Sequence, residues 1–282
     1  MQINEWDSAR LSIDPNREVR FGKRTNKLML EGKEGSPGNY SLQLERCFTE
    51  VKHPRHTHGF EQVRLPIEGE FVYAKDKVLP AGWVGYFPAG SYYGPETRAP
   101  GTLMAVFQLG GASGHGYLSK EQREAAYDIL VKKGKFDLER GVYTYYDEKG
   151  GRHNQDAQEA VWELATGHKV KYPKPRYNDI IAMNPENFNW VEKSDTPGIA
   201  YKWMGSFTEA NTRVGFIRVD SGATLTAGIK DQRQALFLTE GSVSCNGRVY
   251  AKHSAFGLEV GETLSIKGEE QSQFLCVLLP QV

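Results

Sequence analysis

Cysteine is scarce in this 282-residue chain. Cys47, Cys245 and Cys276 are far apart and odd in number, which argues against a disulfide framework or a thiolate zinc cluster. Each falls in a strand-like segment and reads as a buried free thiol. An excess of one charge is also missing, since Lys plus Arg and Asp plus Glu both total 35. A nucleic-acid binder shows a basic excess or stripe. The densest basic stretch, Lys169 to Arg176, is interrupted by Pro173 and Pro175 and reads as a solvated loop. No run approaches the roughly 18 apolar residues that span a bilayer, and Met1 to Arg10 has no apolar core of signal-peptide length. The expectation is a cytoplasmic protein with neither nucleic-acid nor membrane partners. The glycine-rich Gly110–Gly116 lacks the Gly-Lys-Ser/Thr ending of a phosphate loop and reads as a flexible exit or mouth loop.

Apolar residues make up 39% and charged residues 25%, enough to build a sizeable core. Residues 1 to about 26 are polar and mixed, compatible with an arm on a neighbouring subunit. From Lys27 to about Leu109, short alternating runs are broken by Gly and Pro, the pattern of a sandwich or barrel. Tyr40 to Phe48 alternates with a period of two over most of its length. The middle changes period. Ser119 followed by Gln122 forms a capping-box pattern, Ala126, Ile129 and Leu130 share a helical face, and Gly134 ends the run. A second helix is expected from Asn154 to about Thr166 on Ala157, Ala160, Val161 and Leu164, stopped by Gly167, with a strand at Tyr143–Tyr146 between the two. Trp162 and Trp190 read as packing residues. Short strands return from about Phe188 to Val282.

Within His53-Pro-Arg-His-Thr-His-Gly-Phe-Glu-Gln62, His56 and His58 stand two apart. On a strand, that spacing puts both rings on one face. Neutral imidazole is the commonest protein metal ligand. The same period runs on through Phe60, Gln62 and Arg64, so these would share the face. Phe60 reads as pocket wall. Arg64 offers a planar guanidinium to a carboxylate or enolate substrate, or else pairs with Glu61, Glu68 or Glu70 at the rim. His53, next to Pro54, reads as a surface or rim residue, with an extra ligand or a proton shuttle as the alternative.

Spacing extends the pattern. Three residues separate His58 from Gln62, and six more precede Gly69; a second stretch reads Gly82-Trp-Val-Gly-Tyr-Phe-Pro88-Ala-Gly90-Ser-Tyr-Tyr93. Together they resemble the two motifs of the cupin superfamily, with Gln62 in place of the usual Glu and Tyr93 in place of the usual His. The grammar repeats at Gly222-Ala-Thr-Leu-Thr-Ala-Gly228-Ile-Lys230-Asp-Gln-Arg-Gln234 through Gly241, where Gly228 and Lys230 fill the histidine slots. A later stretch, His253 to Leu264, keeps Gly261 but has no histidine at the ligand position. The chain as a whole resembles a bicupin.

The resemblance implies an all-β protein of two double-stranded β-helix (cupin, or jelly-roll) barrels joined by a helical insert. Residues 1–117 would form an N-terminal barrel with the metal motif in variant form, 118–185 the insert and connector, and 186–282 a C-terminal barrel without metal ligands. It implies one divalent transition metal, iron favoured, with manganese, nickel, copper or zinc as options, held by His56, His58, Gln62 and Tyr93. Tyr93 would either ligate as tyrosinate or serve as a hydroxyl that moves a proton. The substrate would be a small organic anion, bound by Arg64 and Phe60, and the protein a homodimer. Oxygenase chemistry leads among the implied reactions. A lyase or isomerase using Tyr93, a non-catalytic binding or sensor protein, and a structural bicupin are the alternatives.

Overall fold

The computed structural model describes residues 1–36, 38–111 and 118–281. Two compact units make up the chain: Leu11–Leu28 with Gly32–Ala182, and Met1–Arg10 with Met29–Glu31 and Met183–Val282. The first ten residues thus go with the C-terminal barrel, and the 118–182 stretch goes with the N-terminal one. The N-terminal residues act as an intrachain strand, because Gln2–Glu5 pairs antiparallel with Ser254–Leu258.

Each barrel is built from a larger and a smaller sheet. In the N-terminal barrel the larger sheet runs Ile181–Met183, Val84–Phe87, Phe60–Glu68, Leu103–Gly111, Tyr40–Cys47, Arg24–Glu31; the smaller runs Val51–His53, Glu96–Arg98, Glu70–Ala74, Lys77–Pro80. In the C-terminal barrel the strand Gln234–Glu240 occupies the equivalent central place between Ser254–Leu258 and Ser272–Leu278. This is the all-β, two-barrel architecture expected from the sequence. The repeat shows most clearly in the backbone. Gly69, Gly82 and Gly90 have φ of +74°, +81° and +79°, and Gly241, His253 and Gly261 have +79°, +70° and +77° at the matching places. Turns of this hand favour glycine, so the motif glycines mark them in sequence. His253 keeps the turn without the glycine.

The segment between the barrels differs from a purely helical insert. Helix α1 (Lys120–Lys133) has the expected capping box: Gln122 N–H donates to Ser119 Oγ and Ser119 N–H donates to Gln122 Oε1, both at 3.2 Å. Ala126 and Leu130 are buried, but Ile129 is exposed, because the i, i+4 stripe alone packs into the cluster with Ala157, Ala160, Val161 and Trp162. Helix α2 covers Ala157–Thr166 and starts later than Asn154. The Asp156 carboxylate caps it by accepting from the N–H groups of Gln158 and Glu159, and Arg152–Asp156 pairs instead with Val142–Tyr146. Gly134–Asp137 completes a three-stranded sheet. Leu164 turns outward, and Trp162 is buried in its place.

Cys47, Cys245 and Cys276 are buried free thiols. Among the described residues, no helix is long and apolar enough to cross a membrane. Residues 112–117 of the glycine-rich stretch lie outside the described residues; Gly110 and Gly111 end a strand.

Candidate active site

The strand Phe60–Glu68 carries Gln62 and Arg64 inward on alternate positions, both fully or nearly fully buried. His56 and His58 precede this strand rather than lying within it. An isolated bridge holds them, with His56 and Tyr93 exchanging both backbone hydrogen bonds at 3.0 Å. Gly90 N–H donates to His58 O at 2.8 Å. The two sequence motifs are therefore fastened to each other through their backbones, and Tyr93 is delivered to the histidines.

Four side chains converge on the Tyr93 hydroxyl. It lies 3.0 Å from His56 Nε2, 2.9 Å from His58 Nε2, 2.6 Å from an Arg64 terminal nitrogen and 3.3 Å from Gln62 Oε1. Phe60 stands beside them, its ring 4.8 Å from that of His58. All six residues singled out from the sequence are thus brought to one place.

The hydroxyl has one proton, and its neighbours decide where it goes. His56 Nδ1 lies 2.7 Å from the Pro54 carbonyl, which can only accept, so Nδ1 carries the hydrogen and Nε2 carries the lone pair. Tyr93 O–H therefore donates to His56 Nε2. Its own lone pairs accept from Arg64 and from His58 Nε2–H. His58 Nδ1 is left with a lone pair and no partner among the described residues. The result is a directed chain: His58 to Tyr93, Tyr93 to His56, His56 to the backbone. Burial pushes the Tyr93 hydroxyl well above its ordinary range, and it lowers the pKa values of both His56 and His58, with like charge from His56 and Arg64 adding to the effect on His58. All three groups are neutral near pH 7.

Arg64 is locked from every side. Its Nε and one terminal nitrogen donate to Gln62 Oε1 at 3.1 and 2.9 Å, and the other terminal nitrogen donates to Glu96 Oε2 at 3.0 Å. The rings of Phe71, Phe87 and Tyr93 lie 4.8, 4.8 and 5.1 Å from its guanidinium carbon. Its carboxylate partner is Glu96, on the strand Glu96–Arg98, rather than Glu61, Glu68 or Glu70; Glu68 pairs with Arg46. With these donors engaged, Arg64 is held in the cavity wall.

His53 is not a rim residue. It is largely enclosed in the cavity wall, 10% exposed, with Nδ1 2.6 Å from Glu96 and Nε2 2.9 Å from Arg24. Arginine cannot accept, so His53 is neutral with its hydrogen on Nδ1. Desolvation holds its pKa well below the usual value despite the neighbouring carboxylate. Glu96 has its pKa held well below the carboxylate range: burial alone would raise it, but His53, Arg64 and Arg98 together outweigh that. Arg24 pairs with Glu18, Arg98 with Glu45, and Arg20 with Asp156. Sequence reasoning missed this network because charged residues on short strands read as solvent-facing. The alternation Gln43, Glu45 on Tyr40–Cys47 was visible, but its polar face turned out to be the inner one: both residues line the cavity.

That cavity has a volume of about 290 Å³. His56, His58, Phe60 and Thr57 form one wall, and Trp162 and Tyr172 from the inserted segment contribute to its lining. The arginines on it are Arg20, Arg24, Arg55, Arg64, Arg98 and Arg123; the carboxylates are Glu45, Glu96, Asp156 and Glu159. Each of Arg20, Arg24, Arg64 and Arg98 has a carboxylate partner. The guanidinium groups of Arg55 and Arg123 have no ion-pair partner among the described residues, although Arg55 stacks over Tyr92 at 4.8 Å.

A divalent metal does not fit the donors as they stand. The point on which both Nε2 atoms converge is filled by the Tyr93 hydroxyl. Gln62 Oε1 already accepts two hydrogen bonds from Arg64. An ion at the hydroxyl's position would stand one hydrogen-bond length from a guanidinium nitrogen; taking about 4 Å to the centre of charge and an effective dielectric constant of about 20, the repulsion is about 8 kcal/mol. Two imidazoles, an amide and a protonated phenol bring no negative charge to offset it, and Glu96 is already shared by Arg64, Arg98 and His53. Among the described residues, no group of three or more His, Cys, Asp or Glu side chains is placed to hold a metal.

Comparison with known proteins bears on the fold. No family profile matches the chain, and no curated protein matches it in sequence. Solved structures do match over its full length. A candidate dioxygenase from Nostoc punctiforme is 11% identical, with a TM-score of 0.62 and 83% of that chain covered. Quercetin 2,3-dioxygenase from Acinetobacter baumannii is 13% identical, with a TM-score of 0.51 and 86% covered. Oxalate decarboxylase from Bacillus subtilis, described with Mn(II) centres, is 10% identical, with a TM-score of 0.56 and 78% covered.

Proposed function

From a two-barrel cupin fold carrying this site, we propose that the protein binds a small organic anion in the N-terminal cavity and moves a proton on it, a step of the lyase or isomerase kind. The observation that carries the reading is the joint placement on one cavity of about 290 Å³ of His58 and the guanidinium groups of Arg55 and Arg123, with His58 Nδ1 unpartnered and both guanidinium groups without an ion-pair partner among the described residues. A planar guanidinium suits a carboxylate. His58 Nδ1 takes the proton. Tyr93 and His56 hold the imidazole in the tautomer that leaves this lone pair open, so both are positioning residues for the base. Phe60, Trp162 and Tyr172 supply walls, and the helical insert limits the volume to a small ligand.

The test uses untagged protein under anaerobic conditions. A panel of small carboxylates with an acidic C–H is incubated in D2O, and deuterium incorporation or product is followed by proton NMR. We expect at least one compound to exchange or react, with the rate falling at least tenfold in His58→Gln and binding weakening in Arg123→Ala. Turnover that proceeds only with oxygen would overturn this reading, and tight binding without any chemistry would replace it with a ligand-binding role.

The oxygenase reading rests on the likeness of the fold to dioxygenase structures rather than on the donors, since the Tyr93 hydroxyl fills the point on which both Nε2 atoms converge. It requires an ion such as iron there, with Tyr93 displaced or ionised, and it is tested by oxygen uptake over the same panel.

A further inference from the structure

We propose that the Arg64 guanidinium is the resident cation of the N-terminal barrel, standing with Tyr93 where the motif would otherwise place a metal ion, and that this site excludes divalent metals. The inference is independent of the proton-transfer reading, since it concerns what the site holds rather than what it catalyses.

Three observations carry it. Tyr93 hydroxyl occupies the convergence point of His56 and His58 Nε2, at 3.0 and 2.9 Å. Arg64 reaches the same oxygen at 2.6 Å while engaging Gln62 Oε1 twice, so the amide oxygen that would be a third ligand already has a cation. Finally, the guanidinium is caged rather than mobile, held by Glu96 and enclosed by Phe71 and Phe87. The two departures from the motif belong together. A Glu at position 62 would attract both a metal and Arg64, whereas Gln62 favours neither charge strongly and accepts hydrogen bonds in a fixed geometry. Tyr93 is long enough to bring an oxygen to the point where a shorter imidazole at that position would leave room for an ion.

The inference separates from a structural role by metal content. Untagged wild-type protein is dialysed against manganese, cobalt, nickel, zinc or, without oxygen, ferrous ion, passed through a desalting column and analysed for metal. The expected result is below about 0.1 equivalent of each ion and no upward shift in Tm on adding it. Near-stoichiometric metal that disappears in His56→Ala or His58→Ala would overturn the proposal. Tyr93→Phe removes the hydroxyl but keeps Arg64, and it is expected to stay metal-free; uptake by this variant would show that the arginine does not exclude ions. The combined change Gln62→Glu, Arg64→Leu, Tyr93→His restores an acidic donor and a third imidazole. Provided circular dichroism shows it folded, it should acquire about one equivalent, and a folded variant that takes up none would contradict the assignment. Should it fail to fold, the wild-type and Tyr93→Phe measurements decide alone.

Discussion

The two barrels share a backbone and differ in what they enclose. At matching places in the central strands stand Gln62 and Gln234, both buried. Two residues on, the N-terminal barrel has Arg64 and the C-terminal barrel has Leu236. Tyr93 is matched in spacing by Leu264, and the histidine slots by Gly228 and Lys230. In the C-terminal barrel Gln234 Oε1 accepts from the Gly228 N–H at 2.7 Å, closing its own loop; Leu236, Leu238, Phe256 and Phe274 pack in an apolar core, and Gln232, Gln234, Arg213 and Asp231 line a cavity of about 520 Å³. In the N-terminal barrel the matching amide oxygen accepts from a guanidinium, and beside an apolar cluster that includes Phe71, Leu79, Phe87 and Met104 lies a buried ion-pair network of arginines, carboxylates and histidines. One scaffold carries both: equivalent strand order and turns hold two different sets of inward side chains. The comparison teaches that the polar interior is not required for folding, which is the reason to look for function there.

The comparison can be broken most sharply at Arg64. Replacing it with leucine copies position 236 of the other barrel but strands Glu96 among fewer cations. The N-terminal unit should lose about 3–5 kcal/mol in urea unfolding. Adding Glu96→Gln should recover part of that loss. A cost under about 1 kcal/mol for Arg64→Leu alone would mean the network is slack. Tyr93→Phe comes next. It leaves His56 Nε2 and one Arg64 donor without their shared partner, and about 1–3 kcal/mol of stability should be lost; an unchanged urea midpoint would contradict the hub.

Acid should act on the barrel that holds the buried histidines. His53 has a folded pKa well below its ordinary value near 6.5. Above that value both states are neutral there and stability is fully present. As pH falls below it, the unfolded chain binds a proton that the folded chain does not, so stability drops by up to about 1.4 kcal/mol per pH unit per such group. Glu96, with its folded pKa well below its ordinary value, adds a further loss at lower pH in the same direction. His53→Asn should flatten the slope between pH 6.5 and 5; a slope unchanged by this substitution would show that His53 is not held neutral. The smallest effect is expected at the turns. His253 adopts φ +70° where the N-terminal barrel has Gly82. His253→Gly should change stability by no more than about 1 kcal/mol, because relief of the left-handed conformation is offset by added freedom in the unfolded chain. A larger loss would show that the ring's stacking on Phe237, at 6.0 Å, matters more than the turn.

Much of this was legible in sequence, and the limits have physical causes. Glycine at positions 69, 82 and 90 announces left-handed turns, so the barrel frame could be read from spacing. The period-two run Phe60, Gln62, Arg64 identified an inner face. What spacing could not show was the third dimension: Glu96 lies more than thirty residues from Arg64 and meets it only through barrel closure. Arg20 and Arg24, in a stretch that looked like a polar arm, are buried by ion pairs rather than by apolarity, which leaves no hydropathy signal. Helix α2 starts three residues after the expected Asn154 because strand pairing of Arg152–Asp156 outweighs local helix preference.

The proton positions at the hub give the most direct test of the whole account. Nitrogen NMR of 15N-histidine-labelled protein at pH 7 distinguishes the two neutral tautomers and the cation. The account predicts opposite tautomers for the pair, with the hydrogen of His56 on Nδ1 and that of His58 on Nε2. Both rings carrying the hydrogen on Nδ1, as two histidines turned by Nε2 toward a common metal would, is the result that would contradict it.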